Sequence, residues 1–380
     1  MTTTSEIPTP ALLLDRAKLE SNAAFMTGRA KQLGVQLRPH MKTAKSVDVA
    51  RIATAGNFGG ITVSTLAEAR YFMKAGLRDI TYAVGLAPSK IDEALSLASL
   101  GADLNVLTDN IELARYLISR AAGQSDSPLS LLIEIDCGDR RGGVAPDSAA
   151  LLEIARLVNG RAGVLFAGVL THAGHSYACS SVNEIAQVAE DERAAAVLAA
   201  QRIRDLGMAC DTVSVGSTPT ATHARHLDGV TEMRPGVYMF GDLDQVGLES
   251  LPDDRIAVSV LASVIGAYPD RLIVDAGGLA LSKDTSAQRH NPNIGYGRVV
   301  GLRGASVVKA NQEHGIIMAE DPGVLRDVKV GDRVRIVPNH VCMTAAAHPG
   351  YYVVNGTKVL DRWPRINGWE QWTVATRKAK

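Results

Sequence analysis

Eight times between about residue 15 and about residue 245 this chain repeats one unit: a short β-branched and apolar run, a glycine or polar corner, then a helical pattern. The runs are VQLRP (35–39), GITVS (60–64), DITYAV (79–84), DLNVLT (103–108), SLLIEID (130–136), FAGVLTH (166–172), DTVSVG (211–216) and EMRPGVYMF (232–240). Between them lie segments such as TLAEARYFMKAG and EIAQVAEDERAAAVLAAQRIRDLG. Several close on Gly, which ends a helix in left-handed backbone without a Cβ clash. Parallel strands need a long crossover, and a helix supplies it. Eight short strands so connected predict an α/β fold with a closed (β/α)₈ barrel, a doubly wound open sheet being the alternative.

After about residue 250 the helices drop out. RIAVSVLASVIGAYPDRLIVDAGG, GLRGASVVKANQEHGIIMAE, GDRVRIVPNHVC and YYVVNGTKVLDRWPR read as strands separated by turns, a C-terminal antiparallel β domain. The chain divides into a barrel over 15–250 and a β domain formed by 1–14 and 251–380. PALLLD is an extra strand, joined either to that domain or to the barrel rim.

Lys plus Arg and Asp plus Glu each number 40, so no net field draws the chain to nucleic acid or to an anionic membrane. With aromatics at 4% there is no stacking surface for bases. No run approaches the roughly eighteen apolar residues of a membrane span. The cysteines at 137, 179, 210 and 342 form no C-x-x-C pair, and MTTTSEIPTP carries no basic-then-apolar leader, which together point to a reducing cytoplasm. The expected partner is a small molecule.

In such barrels chemistry gathers at the C-terminal ends of the strands. The corners there hold His40 and Lys42, Ser64 and Thr65, Thr108 and Asp109, Asp136 with Arg140 and Arg141, His172 and His175, Gly216 to Thr218, and Gly236 with Tyr238. Like charge from Arg38, Lys45 and the start of the next helix, with partial burial, lowers the pKa of the Lys42 amine and leaves it free to form an imine. A solvated lysine in a turn is the alternative. In VGSTPT, Gly216 turns the backbone while Ser217, Thr218 and nearby N–H groups can surround an anion, and the next corner adds Gly236 and the amide of Val237. Corners after the seventh and eighth barrel strands frequently hold a phosphate, although each alone is also an ordinary turn. An imine-forming amine and a phosphate cradle imply a phosphorylated aldehyde, pyridoxal 5′-phosphate (PLP). No G-x-G-x-x-G opens a helix to offer a dinucleotide instead.

The β domain contains VRIVPNHVCMTAAAH. On a strand, His340 and Cys342 point the same way and can ligate one ion such as Zn²⁺, with positions left for water or substrate. A buried cysteine beside a surface histidine is the alternative, and the spacing of His348 makes no geometric prediction. Cys137 and Cys210 read as core, His223 and His226 as solvated, and Asp191, Glu192 and Arg193 as the exposed face of a helix.

TPALLLD, LRPHMKTAKS, GITVSTLAEARYFMKAGLRDITYA, EIDCGDRRGGV, VSVGSTPT, EMRPGVYMFGD and PNHVCMTAA together resemble the fold-type III PLP enzymes, over about residue 8 to about residue 365. The matching branch contains D-serine dehydratase, D-threo-3-hydroxyaspartate dehydratase and D-threonine aldolase. The resemblance implies an alanine racemase-like barrel plus β domain in a homodimer, with sites between one subunit's barrel and the other's β domain. It implies that Lys42 holds the cofactor covalently and that Gly216, Ser217 and Thr218 match the phosphate motif, though VGSTPT is poorer in glycine than many relatives. Gly236 and Val237 match the second corner, beside Tyr238. Arg141 faces the cofactor region, and His172 and Tyr177 flank its ring. His340 and Cys342 match a catalytic metal pair, with zinc expected because of the thiolate and manganese or magnesium behind it. Aldolases of this branch usually carry aspartate where Cys342 stands. The implied reaction is therefore dehydration of a D-β-hydroxy amino acid, such as D-serine or D-threo-3-hydroxyaspartate, to a 2-oxo acid and ammonia. Retro-aldol cleavage to glycine and an aldehyde, and a non-catalytic PLP-binding protein, are the alternatives.

Overall fold

The computed structural model describes residues 2–123 and 126–369. After a first strand, β1 (Ala11–Asp15), come eight parallel strands: β2 (Gln36–Leu37), β3 (Ile61–Val63), β4 (Asp79–Gly85), β5 (Asp103–Thr108), β6 (Leu129–Ile135), β7 (Val164–Thr171), β8 (Thr212–Val215) and β9 (Glu232–Met233). They pair in the order β2-β9-β8-β7-β6-β5-β4-β3, a curled parallel sheet wound by the repeated unit. Its end strands meet through one residue. His40 bridges to Thr62, with Met41 N–H donating to Thr62 O (2.8 Å) and Thr62 N–H to Pro39 O (2.9 Å), while His40 N–H donates to Pro235 O (2.9 Å). The seam of the barrel thus passes two residues before Lys42.

Side chains alternate along these strands. Ile61, Val63, Ile80, Tyr82, Leu104, Val106, Leu131, Ile133 and Val213 join the main apolar core. The intervening Thr62, Thr81, Ser214 and Glu232 are polar and buried, on the opposite face of the sheet. There Arg38 pairs with Asp79 and with Glu232 (2.7 Å), Ser214 Oγ donates to Glu232 (2.5 Å), and Arg234 donates to Ser214 Oγ (2.6 Å) and Thr171 O (2.6 Å). Buried charge persists only when paired and hydrogen-bonded, and this ladder holds Arg234 beneath the strand ends.

The second sheet contains β10 (Val258–Ala267), β11 (Leu272–Val274), β12 (Arg298–Val299), β13 (Ala305–Ala310), β14 (Gly315–Ala319), β15 (Arg333–Val337), β16 (Gly350–Asn355) and β17 (Lys358–Pro364). Antiparallel pairing from β10 through β11, β14, β13, β12 and β15 back to β10 closes a six-stranded barrel. β1 adds to it, antiparallel to β10 and parallel to β16, so PALLLD lies in this sheet and not on the parallel barrel's rim.

Three local expectations are corrected. EMRPGVYMF is strand only over Glu232–Met233: Pro235 has no N–H for a ladder, and Val237–Met239 is a 3₁₀ turn. PNHVCMTAA is not a strand, because β15 stops before Pro338 and His340 precedes the helix Val341–Ala346, whose alanines favour that state. Within the helix Val182–Arg204, Glu192 faces inward and is 2% exposed, not on the solvent face.

Candidate active site

Met41 to Lys45 form one helical turn, closed by Lys45 N–H donating to Met41 O at 2.7 Å and stopped by the left-handed backbone of Lys45 (φ 48°). The β domain grips this turn. Tyr351 Oη donates to Ala44 O (2.7 Å), Thr43 Oγ1 lies 3.2 Å from Cys342 Sγ, Ile366 N–H donates to Lys45 O (3.0 Å), and Lys45 Nζ donates to Asn367 O (2.6 Å). Lys45 also pairs with the buried Glu68 at 3.2 Å, so the second lysine of LRPHMKTAK anchors the turn that presents the first. The Lys42 pKa is lowered, first by burial, against which the Cys342 thiolate pulls upward; Arg141 and Arg234 add to the lowering. Arg38 and Lys45, invoked from the sequence, are spent on Glu232, Asp79 and Glu68 instead.

Two cavities of about 320 and 500 Å³ share His40, Lys42, His172 and Arg234 as a common wall. The first reaches Tyr177, Ser217, Thr218, Gly236, Val237 and the His340–Cys342 pair; the second reaches Glu134, Arg141 and Gly216. Burial, then the Lys42 charge, depresses both histidines, His172 to about 3 and His40 well below its ordinary value, so both are neutral. They take opposite tautomers. His172 Nδ1 lies 3.2 Å from Gly216 O and must donate to it, whereas His40 Nδ1 accepts from Lys42 N–H at 3.4 Å.

The two late corners meet. Ser217 caps the helix Thr218–His223 in a reciprocal box with Thr220, which consumes the Ser217 amide, and Tyr238 N–H donates to Thr218 Oγ1 (3.2 Å). Among the described residues the N–H groups of Gly236 and Val237 have no protein acceptor, and that of Thr218 is directed at the Tyr177 hydroxyl. A Cβ on Gly236 would stand 2.7 Å from His40 O, so only glycine lets this last corner approach the end of the first barrel strand. Behind them the Glu192 carboxylate accepts Ala173 N–H (2.8 Å) and Gly216 N–H (3.0 Å), tying the His172 loop to the Gly216 corner. Free amides beside a buried, deprotonation-prone amine fit a phosphorylated aldehyde.

On the β-domain side, His340 Nδ1 bonds Asp284 Oδ2 at 3.0 Å, and its ring is also hydrogen-bonded to Cys342. Burial pushes the Cys342 thiol up, but the hydrogen bond and charge of His340 outweigh it and leave the thiol below its usual value. A thiolate next to an imidazole held by a carboxylate suits a borderline-soft divalent ion. Among the described residues no three His, Cys, Asp or Glu side chains form a metal cluster, so an ion held by this pair draws its remaining positions from water or substrate.

Lys42, Arg141, His172, Tyr177, Gly216, Ser217, Thr218, Gly236, Val237, His340 and Cys342 therefore line one or both of two adjoining cavities that meet at Lys42 and His172. Tyr238 does not, its ring lying in the apolar core, and His348 points away, bonding Ala280 O at 2.9 Å. Within the chain the barrel and the β domain meet at this cleft, Thr43 Oγ1 lying 3.2 Å from Cys342 Sγ. Sequence reasoning missed Arg234, Asp242, Asp284 and Glu192. Arg234 directly precedes the Pro-Gly of the last corner and was legible by position, whereas the carboxylates carry no local signal.

Residues 14–244 match the family model "Alanine racemase, N-terminal domain" and residues 257–354 the model "Putative serine dehydratase domain". The chain is 42% identical to the D-threo-3-hydroxyaspartate dehydratase of Delftia sp. (strain HT23) across 96% of this chain and 98% of that protein. It is 34% identical to the D-serine dehydratase of Dictyostelium discoideum across 92% and 94%. The solved structure of the Delftia enzyme superposes with a TM-score of 0.93 at 41% identity, covering 97% of this chain and all of the other.

Proposed function

Because this chain belongs to the fold-type III, alanine racemase-like PLP enzymes, we propose that it is a PLP-dependent, divalent-metal-assisted dehydratase of D-β-hydroxy amino acids, working as a homodimer. It converts such substrates to a 2-oxo acid and ammonia. The observation that carries this reading is that Lys42 and the His340–Cys342 pair line one cavity. Bound there, PLP supplies an electron sink for charge developing at the substrate Cα, and a divalent ion supplies Lewis acidity at the β-oxygen.

The residues of the chain do the rest. Lys42 attaches the cofactor at rest, and its amine, whose pKa burial lowers, takes the Cα proton. Gly236 and Val237 offer their amides to the phosphate, beside Ser217 and Thr218 in the neighbouring corner that Glu192 fixes. Neutral His172 and His40 border the amine without adding a competing charge. Asp284 fixes the orientation of His340, and the lowered pKa of Cys342 readies a thiolate for the ion.

The deciding assay is release of 2-oxo acid from a panel of D- and L-β-hydroxy amino acids, with and without chelator. The D-isomers should yield 2-oxo acid and ammonia, and chelation should abolish it. Glycine and an aldehyde as products would establish retro-aldol cleavage instead. Lys42→Ala should lose both turnover and the borohydride-fixable cofactor.

A further inference from the structure

Between the end of β15 at Val337 and the helix Val341–Ala346 lie only Pro338, Asn339 and His340, so the histidine of the His340–Cys342 pair sits on backbone that belongs to no ladder. From the barrel side this stretch is held by three hydrogen bonds. Leu243 N–H donates to Pro338 O (3.1 Å), Asp244 N–H to Asn339 O (3.2 Å) and Val341 N–H to Asp242 Oδ2 (2.9 Å). A single side chain ties it to the β domain's own segment 284–295. Asn339, 2% exposed, donates through Nδ2 to Asp284 O (2.9 Å) and to Gly295 O (2.8 Å). Both acceptors are carbonyl oxygens, so the amide has one orientation: turned over, its own oxygen would face two others.

Asp284 is thus gripped twice by consecutive residues. Asn339 takes its backbone oxygen, and His340 Nδ1 takes its carboxylate at 3.0 Å. The second Asn339 bond reaches Gly295, so one amide joins the two ends of segment 284–295. Within that segment Ala287 and Ile294 pack with Leu243, Leu251, Ile256 and Val337, and Gln288 Nε2 also donates to Gly295 O (3.0 Å). A carboxylate that orients a ligating histidine tunes ion affinity only as firmly as it is itself held, and here the hold comes from the residue next to the histidine.

We propose that Asn339 is a positioning residue for the ion site: by joining Asp284 to Gly295 it fixes the carboxylate that orients His340, and it makes divalent-ion binding and the order of segment 284–295 reciprocal. This inference rests on the metal-assisted reading. Reciprocity follows because whatever ordering of the segment strengthens ion binding must itself be strengthened by the ion.

The test uses PLP-loaded protein and Zn²⁺ without substrate, so it does not depend on which product is formed. Zn²⁺ affinity is read by competition with a chromogenic chelator. Asn339→Ala and Asn339→Asp, the latter keeping the volume but supplying no N–H, should each weaken it about tenfold, with PLP affinity within about twofold of wild type. In an Asp284→Asn background, where the carboxylate is already lost, Asn339→Ala should cost less than about twofold more, because the two residues act through one path. In the wild type, Zn²⁺ should slow hydrogen exchange of the amides between residues 285 and 294, a comparison that needs no variant. Unchanged Zn²⁺ affinity in the folded variants, the same loss with and without the Asp284 carboxylate, or exchange indifferent to Zn²⁺ would overturn the proposal. A wild type that binds no Zn²⁺ would defeat the metal-assisted reading itself, and the role of Asn339 with it.

Discussion

Glu192 shows how much a single buried carboxylate can organise. It accepts one N–H from the His172 loop and one from the Gly216 corner, so Glu192→Ala leaves two amides without a partner at a cost of about 1–3 kcal/mol each. PLP affinity should fall with stability, and Glu192→Gln, which keeps one acceptor oxygen, should restore part of both; unchanged PLP affinity in the alanine variant would refute the positioning role. His172 gives a pH signature. Its folded pKa of about 3 lies below the ordinary 6.5, so the unfolded chain binds the extra proton first and this stabilisation, full above about pH 6.5, drains away as pH falls towards 3. The buried Asp242, raised to about 7, acts in the opposite sense, its protonated form favouring the fold at low pH. His172→Asn should therefore lose less stability than wild type between about pH 7 and about pH 4 in denaturant titrations of the apo protein. An identical acid limb would remove His172 from the balance.

At the scale of elements, the short turn carrying Lys42 has few internal bonds and depends on its neighbours. The segment after β17 clasps it, with Ile366 N–H on Lys45 O and Asn367 O on Lys45 Nζ. Ile366→Pro removes one donor worth about 1 kcal/mol, and PLP should bind about fivefold more weakly, whereas Ile366→Ala keeps the amide and should bind normally. Equal PLP affinity in both variants would show that the clasp does not reach Lys42. The strands were legible because alternation of buried residues is a local pattern, visible in ITV and DLNVLT alike. The misplacement of His340 and Cys342 on a strand has an equally local cause: VRIV is strand, and Pro338 ends it just before the pair. Their proximity survived the error, since a histidine at a helix start still reaches the second helical residue.

For the whole molecule, the consequence is that one chain's barrel and its own β domain both border the site, through the contact of Thr43 with Cys342. Mixing Lys42→Ala and Cys342→Ala subunits, each inactive, should therefore restore no turnover after co-refolding. Recovery of a substantial fraction of wild-type activity would mean that sites are shared across subunits. No helix among the described residues is long and apolar enough to cross a membrane.

The chain order of chemistry was written in the sequence: an amine after the first barrel strand, small-residue corners after the last two, and a His-Cys pair in the β domain. Periodicity and corner residues determine these because each depends on neighbours a few positions away. The tertiary structure alone decided that residue 43 meets residue 342, that Arg38 and Lys45 are neutralised by partners far along the chain, and that Glu192 and Asp284 stand behind the site. Such pairings depend on which distant turn packs against which, and a local pattern records which face is buried but not what it is buried against.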